Sequence, residues 1–166
     1  MEISWCGLLT NVNFFTYEFW DTFQTIIQAQ ETYAFDPNMS FDEAYTLWVK
    51  LPEACFVFKE NNQILGSYYI KKNAGGPSQH ISNCGYMVTP FARGKGVATA
   101  MCIHSQEQAI SLGFRAMQFN SVVASNDIAV KLWQKLGFEI LGIIPDAYQH
   151  KKLGFVDSYI MHKTLI

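Results

Sequence analysis

Apolar positions fall into two rhythms along this chain, one near helical spacing and one strict enough for strands, and their succession lays out the elements. Over residues 18–30, Phe19, Phe23, Ile26 and Ile27 form one helical stripe. Ser40-Phe41-Asp42-Glu43 has the form of a capping box, which opens a second short helix running through Trp48 toward Pro52. Between them lies an aromatic loop, Thr32-Tyr33-Ala34-Phe35-Asp36-Pro37. Residues 54–59 and 64–72 read as strands joined at Asn61-Asn62, a pair suited to a hairpin turn. A Gly/Pro loop over 73–78 leads into a third strand over 81–88. The helix expected over 96–112 carries Ala98, Cys102, Ser105 and Ala109 on one face, small enough to pack closely on a sheet. A strand over 117–123 follows. The next helix has Ser125 as its N-cap, Ala129, Leu132, Trp133 and Leu136 as its apolar stripe, and Gly137 as a left-handed C-terminal cap. Strands over 139–144 and 156–162 complete an α/β chain of one domain, residues 1–166, without repeats or linkers.

The turn between the third strand and the following helix, Thr89-Pro90-Phe91-Ala92-Arg93-Gly94-Lys95-Gly96-Val97-Ala98, carries the clearest chemistry. Two glycines allow a tight backbone whose N–H groups lie close to a ligand, and the helix aims its positive dipole end at the same point. Arg93 and Lys95 add charge, so a phosphate or pyrophosphate suits the cradle. Spacing narrows the choice. A nucleoside-triphosphate loop needs Lys after its last glycine, and Val97 stands there. A dinucleotide turn needs a third small residue where Thr99 stands, and no acidic residue follows near position 118.

Composition removes several classes of function. The 166 residues are 49% hydrophobic, enough for a core without disulfides or metals. A net charge of −2, with 16% charged residues, provides no basic field for nucleic acid. No apolar run approaches a membrane span, and the N-terminal Met1-Glu2-Ile3-Ser4-Trp5 lacks the basic start and apolar stretch of a signal peptide, so a cytoplasmic protein without a membrane partner is expected. Cys6, Cys55, Cys84 and Cys102 are not grouped with His80, His104, His150 and His162 at ligand spacing, and no metal site is expected. Cys84, in the strand before the turn, fits an apolar filler better than a nucleophile.

The pattern Arg93-x-x-Gly96-x-Ala98, preceded by a strand and Pro90, resembles the acyl-CoA pyrophosphate loop of the GNAT superfamily of N-acetyltransferases. A second block, Asn126-x-x-Ala129-x-x-Leu132-Trp133-x-x-x-Gly137-Phe138, resembles the same superfamily's Asn-x-x-Ala-x-x-Leu-Tyr-x-x-x-Gly-Phe segment, with Trp133 in place of tyrosine. The resemblance covers roughly residues 12–165 and is strongest over 83–138. It implies the GNAT fold, α/β (α+β), with a mixed, mostly antiparallel sheet, helices on both faces and a splayed strand pair. The slot between those strands would take the pantetheine arm, paired to the backbone of Tyr86, Met87 and Val88 as though it were another strand. Arg93, Gly94, Lys95, Gly96, Val97 and Ala98 would hold the pyrophosphate of acetyl-CoA, the expected co-substrate, with Asn126 and Trp133 also on the cofactor side.

Tyr69-Ile70-Lys71-Lys72-Asn73, His80-Ile81-Ser82-Asn83-Cys84-Gly85-Tyr86, Phe119-Asn120-Ser121-Val122-Val123 and Ser125-Asn126 look like segments of the fungal acetyltransferases that modify proline analogues such as azetidine-2-carboxylate, and of their bacterial relatives. That resemblance gives catalytic roles to Asn83, Asn120 and Asn126. An asparagine offers donors and an acceptor without a charge, so it can hold a carboxylate or polarise a thioester carbonyl. Asn83 is therefore also a substrate-binding candidate, together with Tyr33 and Phe35 of the aromatic loop, and the late segment 147–154 is expected to help shape the acceptor site. The implied reaction is direct acetyl transfer from acetyl-CoA to a small-molecule amine, an amino acid or toxic analogue included, in a monomer or homodimer. Residues 81–88 hold no Glu or Asp, where many relatives keep a general base, so proton removal is expected through water ordered by the asparagines or backbone carbonyls. Trp133 can donate a hydrogen bond but not a proton. With a thiol pKa of ~8.5, expelling thiolate at neutral pH forgoes only about 2 kcal/mol. Two alternatives stay open: acetylation of a protein N-terminus or lysine, and an inactive CoA-binding module.

Overall fold

The computed structural model describes residues 2–5 and 14–166. Cys6 lies outside the described residues. The described strands form one seven-stranded sheet in the order β1-β2-β3-β4-β5-β7-β6, made of β1 (Glu2–Trp5), β2 (Ala54–Glu60), β3 (Gln63–Lys72), β4 (Ile81–Val88), β5 (Ala116–Val123), β6 (Glu139–His150) and β7 (Gly154–Thr164). Neighbours pair antiparallel except β4 with β5, the parallel pair that the intervening helix makes possible. Strand β1 is an addition to the elements expected from the pattern.

Helix α1 (Trp20–Ala29) is entered through a π-type turn over Phe14–Phe19, and α2 (Phe41–Tyr45) continues into another over Thr46–Lys50. The capping box forms as expected: the Ser40 hydroxyl accepts from the Glu43 N–H, and the Glu43 carboxylate accepts from the Ser40 N–H at 2.8 Å. Both residues of the Asn61-Asn62 turn have positive φ, 50° and 63°, which asparagine tolerates and a tight hairpin requires. Helix α3 is Val97–Ser111 and α4 is Asp127–Lys135.

Helices cover both faces. On one face α3 and α4 pack on a core that includes Phe58, Tyr68, Met101, Cys102, Phe119, Trp133 and Met161. On the other, α1 and α2 enclose an aromatic cluster containing Phe15, Phe23, Trp48, Tyr69 and Met87. Adjacent residues Tyr68 and Tyr69 of β3 enter opposite cores, because successive side chains of a strand alternate. Cys102, Ser105 and Ala109 of the small-residue face are buried, and Val97 and Met101 join them, while Ala98 is half-buried. Among the described residues no helix is long and apolar enough to cross a membrane.

Candidate functional site: a forked strand pair above a glycine turn

Strands β4 and β5 pair only at Ile81–Ala116 and Ser82–Met117, then separate. At the fork the Asn83 side chain replaces a ladder bond: its Nδ2 donates to the Gln118 carbonyl at 2.9 Å, while its Oδ1 accepts from the Tyr69 hydroxyl at 3.4 Å. Beyond it, aromatic rings floor the gap on the α3/α4 side. Trp133 lies 5.1 Å from the Tyr86 ring and 5.3 Å from Phe119. The Tyr86 hydroxyl is held against Ser105 at 2.7 Å.

The β3–β4 ladder decides which backbone groups face this slot. Asn73 N–H donates to the Ile81 carbonyl and Thr89 N–H to that of Leu65, so these are hydrogen-bonded positions of an antiparallel register that also matches Ser67 with Met87 and Tyr68 with Tyr86. Such positions alternate with ones whose N–H and C=O turn away from the partner. Cys84, Tyr86 and Val88 therefore present their backbone groups toward β5, whereas Met87 is bonded to β3 and its side chain is buried among the α1/α2 aromatics. The expected slot-facing backbone of Met87 is corrected by this register.

The slot leads to the turn between β4 and α3. Thr89 anchors its start, with both N–H and hydroxyl donating to the Leu65 carbonyl at 2.9 and 3.0 Å. A single 3₁₀ turn, Pro90–Ala92, follows. Gly94 and Gly96 sit at φ 74° and 77°, and a Cβ built on either would meet nothing within 4 Å. Glycine is needed here for its left-handed backbone, and the space above the turn is open. Gly96 is the N-cap of α3 and offers no side-chain cap, so the first N–H groups of the helix, from Val97 and Ala98 onward, have no side-chain partner at the cap. The Val97 side chain itself is buried, and Arg93 and Lys95 are exposed beside the turn. Uncapped helix N–H groups, two cations and open space above left-handed glycines make a fitting cradle for a pyrophosphate.

The other asparagines occupy different places. Asn120 is exposed on β5, accepts from Gln118 Nε2 at 2.9 Å and donates to Asn73 Oδ1 at 2.7 Å. Asn126, not Ser125, is the N-cap of α4: its Oδ1 accepts from the Ala129 N–H at 3.3 Å. Both are short polar residues that can cap, so sequence alone could not choose between adjacent candidates. Asn83 thus sits at the fork, linked through Gln118 to Asn120 on β5, and Asn126 stands at the start of α4. Cys84 is buried, and burial raises its thiol well above the usual range, as expected of a filler and not of a nucleophile.

The aromatic loop meets the slot from the α1/α2 side. Tyr33 and Phe35 stack with ring centroids 5.0 Å apart, and the Tyr33 hydroxyl donates to the Tyr86 carbonyl at 2.6 Å. Burial pushes the Tyr33 phenol well above its ordinary pKa, so it is a protonated donor and not a base. Beside it a cavity of about 190 Å³ lies between the loop (Gln30, Tyr33, Ala34, Phe35, Pro37) and β6 (Ala147, Tyr148, Gln149). Tyr148 falls in the segment 147–154 expected to shape the acceptor site, but its place on a strand is not legible from pattern, because β6 is expected to stop at residue 144, before Pro145 and Asp146.

Comparison with known proteins places these features in context. The model of the Acetyltransferase (GNAT) family matches residues 15–138. The chain is 32% identical over 151 residues to the N-acetyltransferase aca1 of Schizosaccharomyces pombe, across 81% of this chain and 72% of that protein. It is similar to the solved GCN5-related N-acetyltransferase from Kribbella flavida, at 34% identity and a TM-score of 0.89 over 98% of this chain and 96% of the other. A phosphinothricin acetyltransferase from Sinorhizobium meliloti, solved in complex with AcCoA, shares the fold, with a TM-score of 0.76 at 18% identity over 87% and 80% of the two chains.

Proposed function

Because the chain belongs to the GNAT acetyltransferase family, we propose that it transfers the acetyl group of acetyl-CoA to the primary or secondary amine of a small molecule, an amino acid or analogue included. The observation that carries this reading is the continuity of the slot with the phosphate cradle. The β4 backbone groups of Tyr86 and Val88 face a gap that leads to the N-terminus of α3, where Arg93, Gly94, Lys95 and Gly96 surround open space. A ligand with an amide-bearing arm and a pyrophosphate matches that sequence of groups, and the arm would add to β4 as a strand does. When bound, acetyl-CoA supplies an activated thioester; the residues of this chain hold and orient the partners.

Several parts of the site are assigned to the amine. The cavity beside Tyr33 has no charged lining residue, which favours a compact, mostly neutral body over a polyamine or a basic peptide. At about 190 Å³, and open to solvent on one side, it has room for a molecule of amino-acid size. Asn83 is nearly buried, and its amide nitrogen already bridges to β5, so its share in the reaction is to hold the fork open at a fixed width. Asn120, exposed with neighbours that can exchange partners, is the better candidate to meet a substrate carboxylate. Asn126 orders the start of α4, whose Trp133 floors the slot. Acetylation of a protein N-terminus or lysine is the second reading, with a cytoplasmic site of action common to both.

A panel of free amino acids, azetidine-2-carboxylate, polyamines and short peptides, assayed for thiol release from acetyl-CoA, tests the proposal. Turnover confined to peptides would move the assignment to a protein acetyltransferase, and no release with any amine, despite CoA binding, would favour an inactive CoA-binding module. A second expectation concerns the tryptophan. Since thiolate departure without an acid forgoes only about 2 kcal/mol, Trp133→Phe is expected to lower kcat by about threefold or less, and Trp133→Tyr to equal or exceed the parent. Steady-state kinetics on both variants checks this; a well-folded Phe variant without activity would give the indole a specific role.

A further inference from the structure

We propose that Tyr33 and Tyr148 act as a positioning pair that ties the acceptor cavity to the slot and fixes the direction from which the amine arrives. The inference rests on the reading of the site as an amine acetyltransferase. Tyr33 is held at three points. Its ring stacks on Phe35, its hydroxyl donates to the Tyr86 carbonyl at 2.6 Å, and its own carbonyl accepts from the Tyr148 hydroxyl at 3.1 Å. Residues far apart in the chain, separated by 53 and 115 positions, are joined in this one line of bonds.

Tyr148 points inward because β6 is bulged. The register with β7 shifts between Ile144 and Tyr148, and Asp146 sits at φ 51°, its N–H donating to Asp157 Oδ1 at 3.1 Å. A bulge of this kind re-aims the side chain that follows it. The hairpin that carries Tyr148 is in turn fastened to the end of α1. Lys151 N–H donates to the Gln30 carbonyl at 3.2 Å, Lys152 Nζ meets the Glu31 carboxylate at 2.6 Å, and His150 Nδ1 accepts from the Lys152 N–H at 3.1 Å, shaping the turn. The cavity is therefore bounded by a hydrogen-bonded frame, and both tyrosines belong to its wall.

The chemistry of the pair follows from what each hydroxyl engages. The Tyr86 carbonyl projects into the slot and, beside the Tyr33 hydroxyl, has a second lone pair that can accept an N–H of an arriving amine, with the Tyr86 N–H left to the cofactor arm. An amine whose N–H donates there turns its own lone pair away from the carbonyl and toward the slot. Tyr33 keeps the carbonyl and the cavity wall in register, and Tyr148 keeps Tyr33 in place. With no charged residue in the cavity lining, orientation falls to these neutral groups. Tyr33 and Tyr148 are thus positioning residues whose effect is felt in acceptor use more than in cofactor binding.

The test is a double-variant cycle in the full chain, Tyr33→Phe, Tyr148→Phe and both together, assayed by thiol release with acetyl-CoA and whichever of azetidine-2-carboxylate, L-proline, L-leucine and isobutylamine the parent uses best. Each single change is expected to raise KM for the amine about tenfold, with kcat in Tyr148→Phe lowered less than about threefold and the double variant no worse than the poorer single one. CoA affinity by calorimetry is expected to stay within about twofold in Tyr148→Phe. An unchanged amine KM in Tyr148→Phe, or single effects that multiply in the double variant, overturns the pairing while leaving acetyl transfer intact. Absence of thiol release by the parent with all four amines overturns both the small-amine reading and the pairing. Should Tyr33→Phe prove poorly folded by thermal melt, the split between KM and kcat in Tyr148→Phe decides alone.

Discussion

Replacing Gly96 with valine is expected to weaken CoA binding by about a hundredfold or more, equivalent to ~2.7 kcal/mol. Gly96 stands at φ 77°, and a β-branched residue there is strained by about 1–3 kcal/mol, so the turn would relax away from its present course. Its new methyl groups would also project into the open space that the pyrophosphate needs, and the first N–H groups of α3 would lose their common aim. Strain alone could mimic this by destabilising the fold. Gly113→Val supplies the control, since Gly113 has φ 87°, equally open surroundings, and lies beyond the other end of α3. The expected pair of results is similar loss of thermal stability in both variants and loss of CoA affinity in Gly96→Val only. Arg93→Glu, which reverses charge at an exposed position beside the turn, is expected to cost about tenfold. Calorimetric titration with CoA is the measurement, and an affinity within twofold of the parent in both turn variants would reduce the cradle to a structural turn.

The second large effect is on stability. Gly85→Ala places a Cβ 2.6 Å from Cε1 and 3.0 Å from Cζ of Tyr69, and that ring cannot swing aside cheaply. It is buried, meets Trp48 edge-on at 4.9 Å, and its hydroxyl donates to Asn83 at the fork. Overpacking of this kind costs about 1–3 kcal/mol, and at its upper end would lower Tm by about 6–12 °C in a domain of this size. The same push moves β4 at the fork, so acetyl transfer is expected to fall as well. Tyr69→Leu removes the obstructing ring, and the double variant is expected to lose less stability than the two single losses combined. Thermal melts of the three variants decide; strict additivity would mean that the clash is relieved elsewhere, through the backbone.

Both predictions turn on glycines, yet only one of the two was legible as functional. Gly96 belongs to a motif whose neighbours Arg93 and Lys95 announce an anion, whereas Gly85 in its strand carries no local signal: the ring it accommodates comes from the neighbouring strand β3. Cys84, beside it, reads correctly as filler from sequence alone, because an isolated cysteine in an apolar strand has no partner to activate it.

What the sequence by itself determined are the features set by near neighbours. The Ser40–Glu43 capping box, the left-handed Asn61-Asn62 turn, the limits of β4 at Ile81 and Val88, and the glycine turn before α3 each depend on residues within a few positions of one another. Local propensity and backbone sterics suffice for them. The strand β6 shows where this reasoning stops. Pro145 and Asp146 look like a break, but the bond from Asp146 N–H to Asp157 lets the strand pass through a bulge and continue to His150. The choice of Asn126 over Ser125 as cap, the turning of Met87 toward β3 and of Tyr86 toward the slot, and the meeting of Tyr33 with Tyr86 and Tyr148 were decided only by the tertiary structure. The cap is a choice between two adjacent polar residues, and the others depend on strand register or on contact between distant segments. A shift of one residue in register would exchange every slot-facing group for its neighbour, and no local pattern records that phase.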